Sequence, residues 1–490
     1  MQERKRSIVI FTYIAIFSFI IPSVFWLSSL TPDPKQVLQP LEEKKAAEDL
    51  IAPSNSVEPE TIENLDIAKR ISIGEQILIA ADQNSSKLAA AKAFGAGDYR
   101  DAITQYDAAL KIQRNDPEAW IYQNNAKAIA SDDYLQIAVS VPIGGNLNVA
   151  KEILRGVAQV QQEVNSQGGI EGKLLAVAIA NDDNDPVTAK QVAHQFSQDD
   201  QILGVIGHNA TEASMAAAPV YQQAGLVMIS PTTVGSSLSD LGGYIFRTTP
   251  DTRSTADILA RYTVESARKS KVAICFASDA KASQSFKEAF EWSIFQAGGK
   301  VVETSCDFAQ ANFNPGTVSA QAISSGADAL LLAPSIYNIN QAIAVMQANK
   351  NRLPLLGNQT MYSYETLEQG QAEANGMMLS VAWHSIPNAD QVFTQEAQSL
   401  WGGAVGWRTA MAYDAAKAIV VGLESESKLE SKPSRQQLQA TLGNPDFAFP
   451  GATGKVQFLP SGDRNLKGVL VKVASGNQSG TGYDFMPLEP

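Results

Sequence analysis

The stretch "GVIGHNATEASMAAAPV", Gly204 to Val220, decides how the chain is read. It opens as an apolar strand, breaks into small polar residues at His208-Asn209-Ala210-Thr211, and resumes as a helix of Ala and Met. A helix that starts where a strand ends turns unpaired N–H groups toward the space beyond the sheet. Those groups and the helix dipole favour an anion. Asn209 and Thr211 add side-chain hydrogen-bonding groups, while Ala213, Ser214, Ala216 and Ala217 let the helix lie close to the sheet. The next strand, "LVMIS", ends in "PTTVGSS", a second run of hydroxyls and exposed backbone that holds Thr232 and Thr233. Together the two strand ends suit a small anionic group such as a carboxylate. Simple capping by Asn209 or Thr211 is the competing explanation.

Working outward, short apolar strands alternate with amphipathic helices through "LQIAVSVPI", "KLLAVAIAND", "ILGVIGH" and "LVMIS". After Arg253 the pattern restarts with "KVAICFAS", "KVVETSCDF", "ADALLLAPS", "PLLGN" and "GMMLSVAW". This alternation predicts an α/β fold with parallel sheets covered on both faces, in two similar lobes. Ligands of open α/β sheets bind beyond the carboxyl ends of the strands, so two facing lobes predict a cleft closed by hinge motion.

The chain ahead of the lobes reads differently. "MQERKRS" is basic, and "IVIFTYIAIFSFIIPSVFWLSSL" is long and apolar enough to cross a bilayer, which takes about 20 residues. Residues 1–30 are therefore expected to anchor the chain with its bulk outside the cell, in preference to a cleaved signal peptide, whose apolar core is shorter. Residues 31–61, rich in Pro, Glu and Lys, read as a solvated linker. In residues 62–131, Ala90, Phe94, Tyr99, Ala102, Tyr106 and Leu110 recur at helical spacing, with "GAGDY" as a turn and Asp116-Pro117 opening a further helix. This looks like a tetratricopeptide repeat, and a helix over about 62–80 is expected to cover its open face. A partner-docking groove and a packed helical stalk both fit the segment.

Across 490 residues the net charge is -13, which excludes a nucleic-acid footprint. Cys275 and Cys306 are the only cysteines and are read as buried small hydrophobes rather than a disulfide. "NDDNDP", Asn181 to Pro186, is read as a cap, Asp185 with Pro186 in the first helical turn, rather than as a calcium loop. His194, His208 and His384 lack metal-ligand spacing, and no phosphate loop or nucleophile elbow occurs, so neither a cofactor nor catalysis is expected. "RTAMAYDAAKAIVVG" reads as an amphipathic core helix.

The segments "NSQGGIEGKLLAVAIANDDNDPVTAKQVA", "GVIGHNATEASMAAAPVYQQAGLVMISPTT", "GGYIFRTTPDT" and "RTAMAYDAAKA" resemble the type I periplasmic binding proteins of the branched-chain amino-acid class. The resemblance implies two Rossmann-like lobes with a hinge, preceded here by the transmembrane helix and the tetratricopeptide-like segment. Lobe 1 is expected at about 133–251 and 386–450, lobe 2 at about 252–385 and 451–480, and a tail at 481–490. It implies an extracytoplasmic receptor, on the periplasmic side of the inner membrane, that hands an amino acid, amide or small carboxylate to an ABC permease. A membrane-anchored sensor or scaffold that docks a partner through the helical segment is the alternative. Residue by residue, the resemblance puts the ligand carboxylate at Thr211 and the α-ammonium at the Thr232 carbonyl and at Val234; Asn209 and Thr233, from the two polar strand ends, are further candidates for the ligand site. A closing side chain matches Ala282, and the acid that pairs the ammonium matches Gln359. Val234 lacks the family's hydroxyl and Gln359 its charge; Asp279 or Glu365 is a candidate replacement for that charge.

Overall fold

The computed structural model describes residues 67–386, 391–427 and 433–488. The expected anchor, linker and first residues of the helical segment lie outside them. Among the described residues no helix is long and apolar enough to cross a membrane.

The fold is α/β. Short strand β1 (Ile71–Ser72) precedes β2 (Tyr134–Val141), β3 (Leu174–Asn181), β4 (Ile202–Ile206), β5 (Val227–Ser230) and β6 (Ile245–Arg247). These form one sheet in the order β1-β3-β2-β4-β5-β6, parallel except for β1, which runs antiparallel to β3. The second lobe holds β7 (Lys271–Phe276), β8 (Lys300–Val301), β9 (Ala329–Ala333), β10 (Leu355–Gly357) and β11 (Met378–Val381). Here too the second strand flanks the first and the third, fourth and fifth follow on its other side. Each lobe thus has the doubly wound order whose switch point lies between its first and third strands. All of β4 and β9 is buried, as expected for strands covered on both faces.

Two further strands, β14 (Val469–Ser475) and β15 (Tyr483–Pro487), extend the second sheet antiparallel from β11. The hairpin of β12 (Phe449–Gly451) and β13 (Gly454–Val456) packs on the first lobe, where Ala452, Val456 and Phe458 join its core. Buried Asp414 holds this region: its Oδ2 accepts from Arg464 Nη1 at 2.8 Å, and its Oδ1 accepts from the Ala452 N–H at 2.6 Å. The expected change of lobe at 451 therefore falls later, between Arg464 and Val469, and the expected tail includes β15.

Two other expectations are corrected. Cys275 and Cys306 form a disulfide with their Cα atoms 4.6 Å apart. The second-lobe strand expected through Cys306 stops at Val301, and the following irregular segment is pinned to β7 by the Phe276–Asp307 bridge and by the disulfide. Continued in the Val272–Val301 register, the strand would carry Cys306 two residues past Cys275; the irregular segment brings the two level.

The helical segment contains α-helices at Ser85–Gly95, Tyr99–Ile112 and Pro117–Ile129, capped by Asn84, Asp98 and Asp116. The helix expected to cover them ends differently. Over the described residues 67–80 the chain turns into β1 and a loop, because pairing with the free edge of β3 satisfies its backbone. Gly74, at φ +143°, passes under Phe94, whose ring lies 2.6 Å from where a Cβ would stand. The Tyr106 hydroxyl donates to the Gly74 carbonyl at 2.7 Å, and Glu118 accepts from the Leu78 N–H at 2.7 Å. Residues 71–79 thus lie against the helices.

This segment shares one core with the first lobe: Phe94, Tyr106 and Tyr122 are continuous with Ile137, Val157 and Val177. Buried Asn125 joins the two. Its Nδ2 donates to the Ile73 and Val177 carbonyls at 2.7 Å each, and its Oδ1 accepts from the Val177 N–H and Gln161 Nε2 at 2.8 Å each. Asn125→Ala leaves the Val177 N–H and carbonyl and the Ile73 carbonyl without this partner, while Gln161 Nε2 keeps its bond to the Leu175 carbonyl; each unsatisfied group costs about 1–3 kcal/mol. We expect it to lower the unfolding free energy by about 3 kcal/mol in urea titration, with the helical segment and first lobe unfolding in one transition. Separate transitions, or no loss, would contradict the shared core.

Candidate functional site

The parallel strands of both lobes end at a common cavity of about 50 Å³. From the first lobe it is lined by Asn209 to Glu212, after β4, and by Thr232 and Val234, after β5. From the second come Ala282, after β7, Ser335 and Ile336, after β9, and Gln359 and Thr360, after β10. Trp407 and Arg408, which open the helix Trp407–Ser427, complete the wall.

The α-helix Thr211–Ala224 starts at this cavity, and its N-cap residue, Ala210, makes no side-chain cap bond. The capping alternative for Asn209 and Thr211 therefore does not apply. Thr211 Oγ1 accepts from the Gly235 N–H at 3.3 Å, and a Cβ on Gly235 would lie 2.5 Å from Thr211 Cγ2, so glycine allows the two loops to touch. Asn209 Nδ2 donates to Asn184 Oδ1 at 3.0 Å, and Thr232 Oγ1 donates to the Asn209 carbonyl at 3.1 Å.

Beneath these residues the polar break is anchored by groups the sequence did not single out. His208 is fully buried, its Nδ1 2.6 Å from Asp182 Oδ2 and its Nε2 3.2 Å from the Tyr221 hydroxyl. The His208 carbonyl accepts from the Ser214, Ser230 and Thr233 hydroxyls at 3.1, 2.8 and 3.3 Å. Thr233 is thus committed to this buried network, also bonding Ser214 Oγ at 2.6 Å, and is not among the lining residues. That corrects its expected place: along a strand-end loop neighbouring side chains face opposite ways, so Thr232 and Val234 reach the cavity and Thr233 does not. Asp185 caps the helix Pro186–Gln198 through the Thr188 N–H, as expected from its sequence.

The expected residues Asn209, Thr211, Thr232, Val234, Ala282 and Gln359 all come together at the cavity. Neither Asp279 nor Glu365 is among its lining residues; Glu365 instead accepts from Asn148 Nδ2 at 2.9 Å. Arg408, Trp407, Glu212, Ser335, Ile336 and Thr360 were missed. For Arg408 a signal existed: a cation in the first turn of a helix opposes the dipole, a local cost that marks a special position. For Ser335 and Thr360, the strand-end rule applied to the first lobe would have served equally in the second.

Arg408 is buried, donates through Nη1 to Glu152 Oε2 at 3.2 Å and to the Tyr362 carbonyl at 3.3 Å, and lies over the Trp407 ring at 4.7 Å. Gln359 Oε1 and Trp407 Nε1 are buried polar atoms with no partner among the described residues. Across the cleft, Glu212 Oε1 accepts from the Lys281 N–H at 2.9 Å, and the Tyr337 hydroxyl donates to the Asn184 carbonyl at 2.7 Å. The lobes are therefore apposed, with the cavity between them. Helix N–H groups, Thr211 and Arg408, the last ion-paired with Glu152, are the groups this cavity offers a small anion.

Burial pushes the Asp182 carboxyl up, but hydrogen bonds from the His208 ring, the Asn184 N–H and the Ser140 hydroxyl outweigh it and hold the group below its ordinary value. A depressed carboxyl stabilises the fold above its unfolded value, near 3.8, and loses that contribution as pH falls through the lower folded value. Asp182→Asn should flatten part of the acid limb of the stability–pH curve below about pH 4 and cost about 1–3 kcal/mol at neutral pH. An unchanged acid limb in urea titrations across pH would contradict this.

Comparison with known proteins agrees with this geometry. A periplasmic binding protein family model matches residues 135–477. An amino acid binding protein of Pseudomonas aeruginosa is 26% identical over 137 residues, covering 28% of this chain and 37% of that protein. The Leu/Ile/Val-binding protein of Escherichia coli is 29% identical over 149 residues, covering 30% of this chain and 40% of that protein. The chain thus matches well under half the length of these relatives. The crystal structure of a leucine binding protein from Thermotoga maritima shares the fold, with a TM-score of 0.63 at 16% identity over 73% of this chain and 99% of that one. Periplasmic location and solute binding are properties of the family as a whole. With the family match spanning both lobes and the cavity between them, the chain belongs to the periplasmic binding protein family.

Proposed function

We propose that the chain is an extracytoplasmic solute receptor of an ABC-type importer. Its ligand is a small, amino-acid-like molecule bearing a carboxylate or an amide, bound between the lobes and held by hinge closure. One observation carries this reading: strand ends of both lobes converge on one cavity with an uncapped helix N-terminus at Thr211 and a buried cation at Arg408. The relatives named for amino acids or for Leu, Ile and Val support an amino-acid-like solute. The same relatives support a binding role.

The N-terminal sequence supports the rest of the proposal. Residues 1–30 anchor the receptor at the periplasmic face of the inner membrane, and 31–61 space it from the bilayer. The tetratricopeptide-like helices serve as a base for the first lobe. A sensor or scaffold that docks a partner through them has less support, because residues 71–79 already lie against those helices.

A thermal-shift screen of amino acids, amides and small carboxylates on the full-length chain tests the reading. A true ligand at about 100 times its Kd adds about 2.7 kcal/mol of stability. Thr211→Ala should weaken that ligand by about tenfold, the loss of one hydrogen bond to a charged group. Deletion of the chain in its host should abolish uptake of the same solute. If no compound raises the melting temperature and no uptake is lost, the receptor reading fails.

A further inference from the structure

The charges around the cavity are uneven. Arg408 is 4% exposed, and both of its recorded acceptors, Glu152 Oε2 and the Tyr362 carbonyl, lie on Nη1. Its Nε and Nη2 have no hydrogen-bond partner among the described residues. The helix opening at Thr211 presents its uncapped N–H groups to the same space. Both features favour an anion. Glu212 is the sole carboxylate among the described lining residues, and its Oε1 is already engaged by the Lys281 N–H.

Two more lining groups are open to a ligand. Gln359 is 5% exposed with Oε1 unpartnered, and the Trp407 Nε1 donor is buried and unpartnered. Buried polar atoms without partners are costly, so a well-matched ligand donates to the first and accepts from the second. The remaining wall includes Ala210, Val234, Ala282 and Ile336, which offer no side-chain acceptor. An ammonium entering here would leave water to face Arg408 and a helix N-terminus, with Gln359 neutral and Glu212, already bonded to the Lys281 N–H, as the one carboxylate among the described lining residues. A hydroxyl or carboxamide meets the same groups with no charge to desolvate.

We infer that the site selects a small monocarboxylate carrying a neutral hydroxyl or carboxamide in place of an ammonium, with Arg408 and Gln359 setting that choice. The inference rests on the receptor reading of this cavity and narrows it. The carboxylate lies against the helix N-terminus and Arg408, and the neutral group meets Gln359 and Trp407.

Isothermal titration of the full-length chain with matched pairs tests the inference: L-lactate against L-alanine, L-2-hydroxy-4-methylpentanoate against L-leucine, and succinamate against 4-aminobutanoate. In at least one pair the acid without the ammonium should bind at least about tenfold more tightly, and Gln359→Glu should narrow or reverse that ratio. Equal or tighter binding of the amino acid in every pair that binds would overturn the inference and leave the receptor reading intact. If no pair binds, the selectivity is likewise overturned. Mass spectrometry of solute carried through purification then separates the two ideas. A bound solute of another class keeps the receptor reading, and an empty protein removes both.

Discussion

The contact between His208 and Asp182, fully buried at 2.6 Å, is the constraint on which the first half of the site depends. It holds the loop between β4 and the Thr211–Ala224 helix so that the His208 carbonyl gathers three hydroxyls below while the helix N–H groups face the cavity above. Asp182 comes from the end of β3 and Ser230 and Thr233, which bond the His208 carbonyl, from the end of β5, so His208 ties the ends of β3, β4 and β5 into one platform. Without that tie, the helix N-terminus would have no fixed aim. A dipole stabilises an anion only when its N–H groups are already oriented.

Facing this platform, the second lobe is held by few polar contacts. Glu212 accepts from the first N–H of the Lys281–Gln296 helix, whose own N-cap, Ala280, makes no side-chain cap bond, so one lobe caps a helix of the other. Tyr337 to Asn184, Asn148 to Glu365 and Arg408 to the Tyr362 carbonyl add three more contacts. Each such bond contributes about 1 kcal/mol net, so the apposed form is only modestly favoured by the protein alone. A ligand touching both lobes then has enough differential free energy to decide the balance between open and closed forms.

Much of the architecture was legible because it follows from periodicity. Continuous apolar strands alternating with helices led to the two sheets, polar strand ends led to Asn209, Thr211 and Thr232, and the family resemblance led to Val234, Ala282 and Gln359. Arg408 was not reached by that rule, since it arrives from a helix remote in sequence from either strand end. The disulfide was missed because spacing carries no information about which irregular segment folds back beside β7. Ile71–Ser72 was expected in a helix since local pattern cannot see a free sheet edge; tertiary pairing with β3 overrode it. Thr233 and Thr232 are chemically identical, and only the turn of the loop sends one down to His208 and the other to the cavity.

Hydrogen exchange on the full-length chain, comparing the solute-loaded form with a stripped one, tests the account most directly. Binding should slow exchange together at residues 209–212 and 232–235 of the first lobe, at 335–336 and 359–360 of the second, and at 407–408. Protection confined to one lobe, or centred on the separate cavity of about 910 Å³ beside Tyr413 and Phe449, would contradict a ligand held between the strand ends of both lobes.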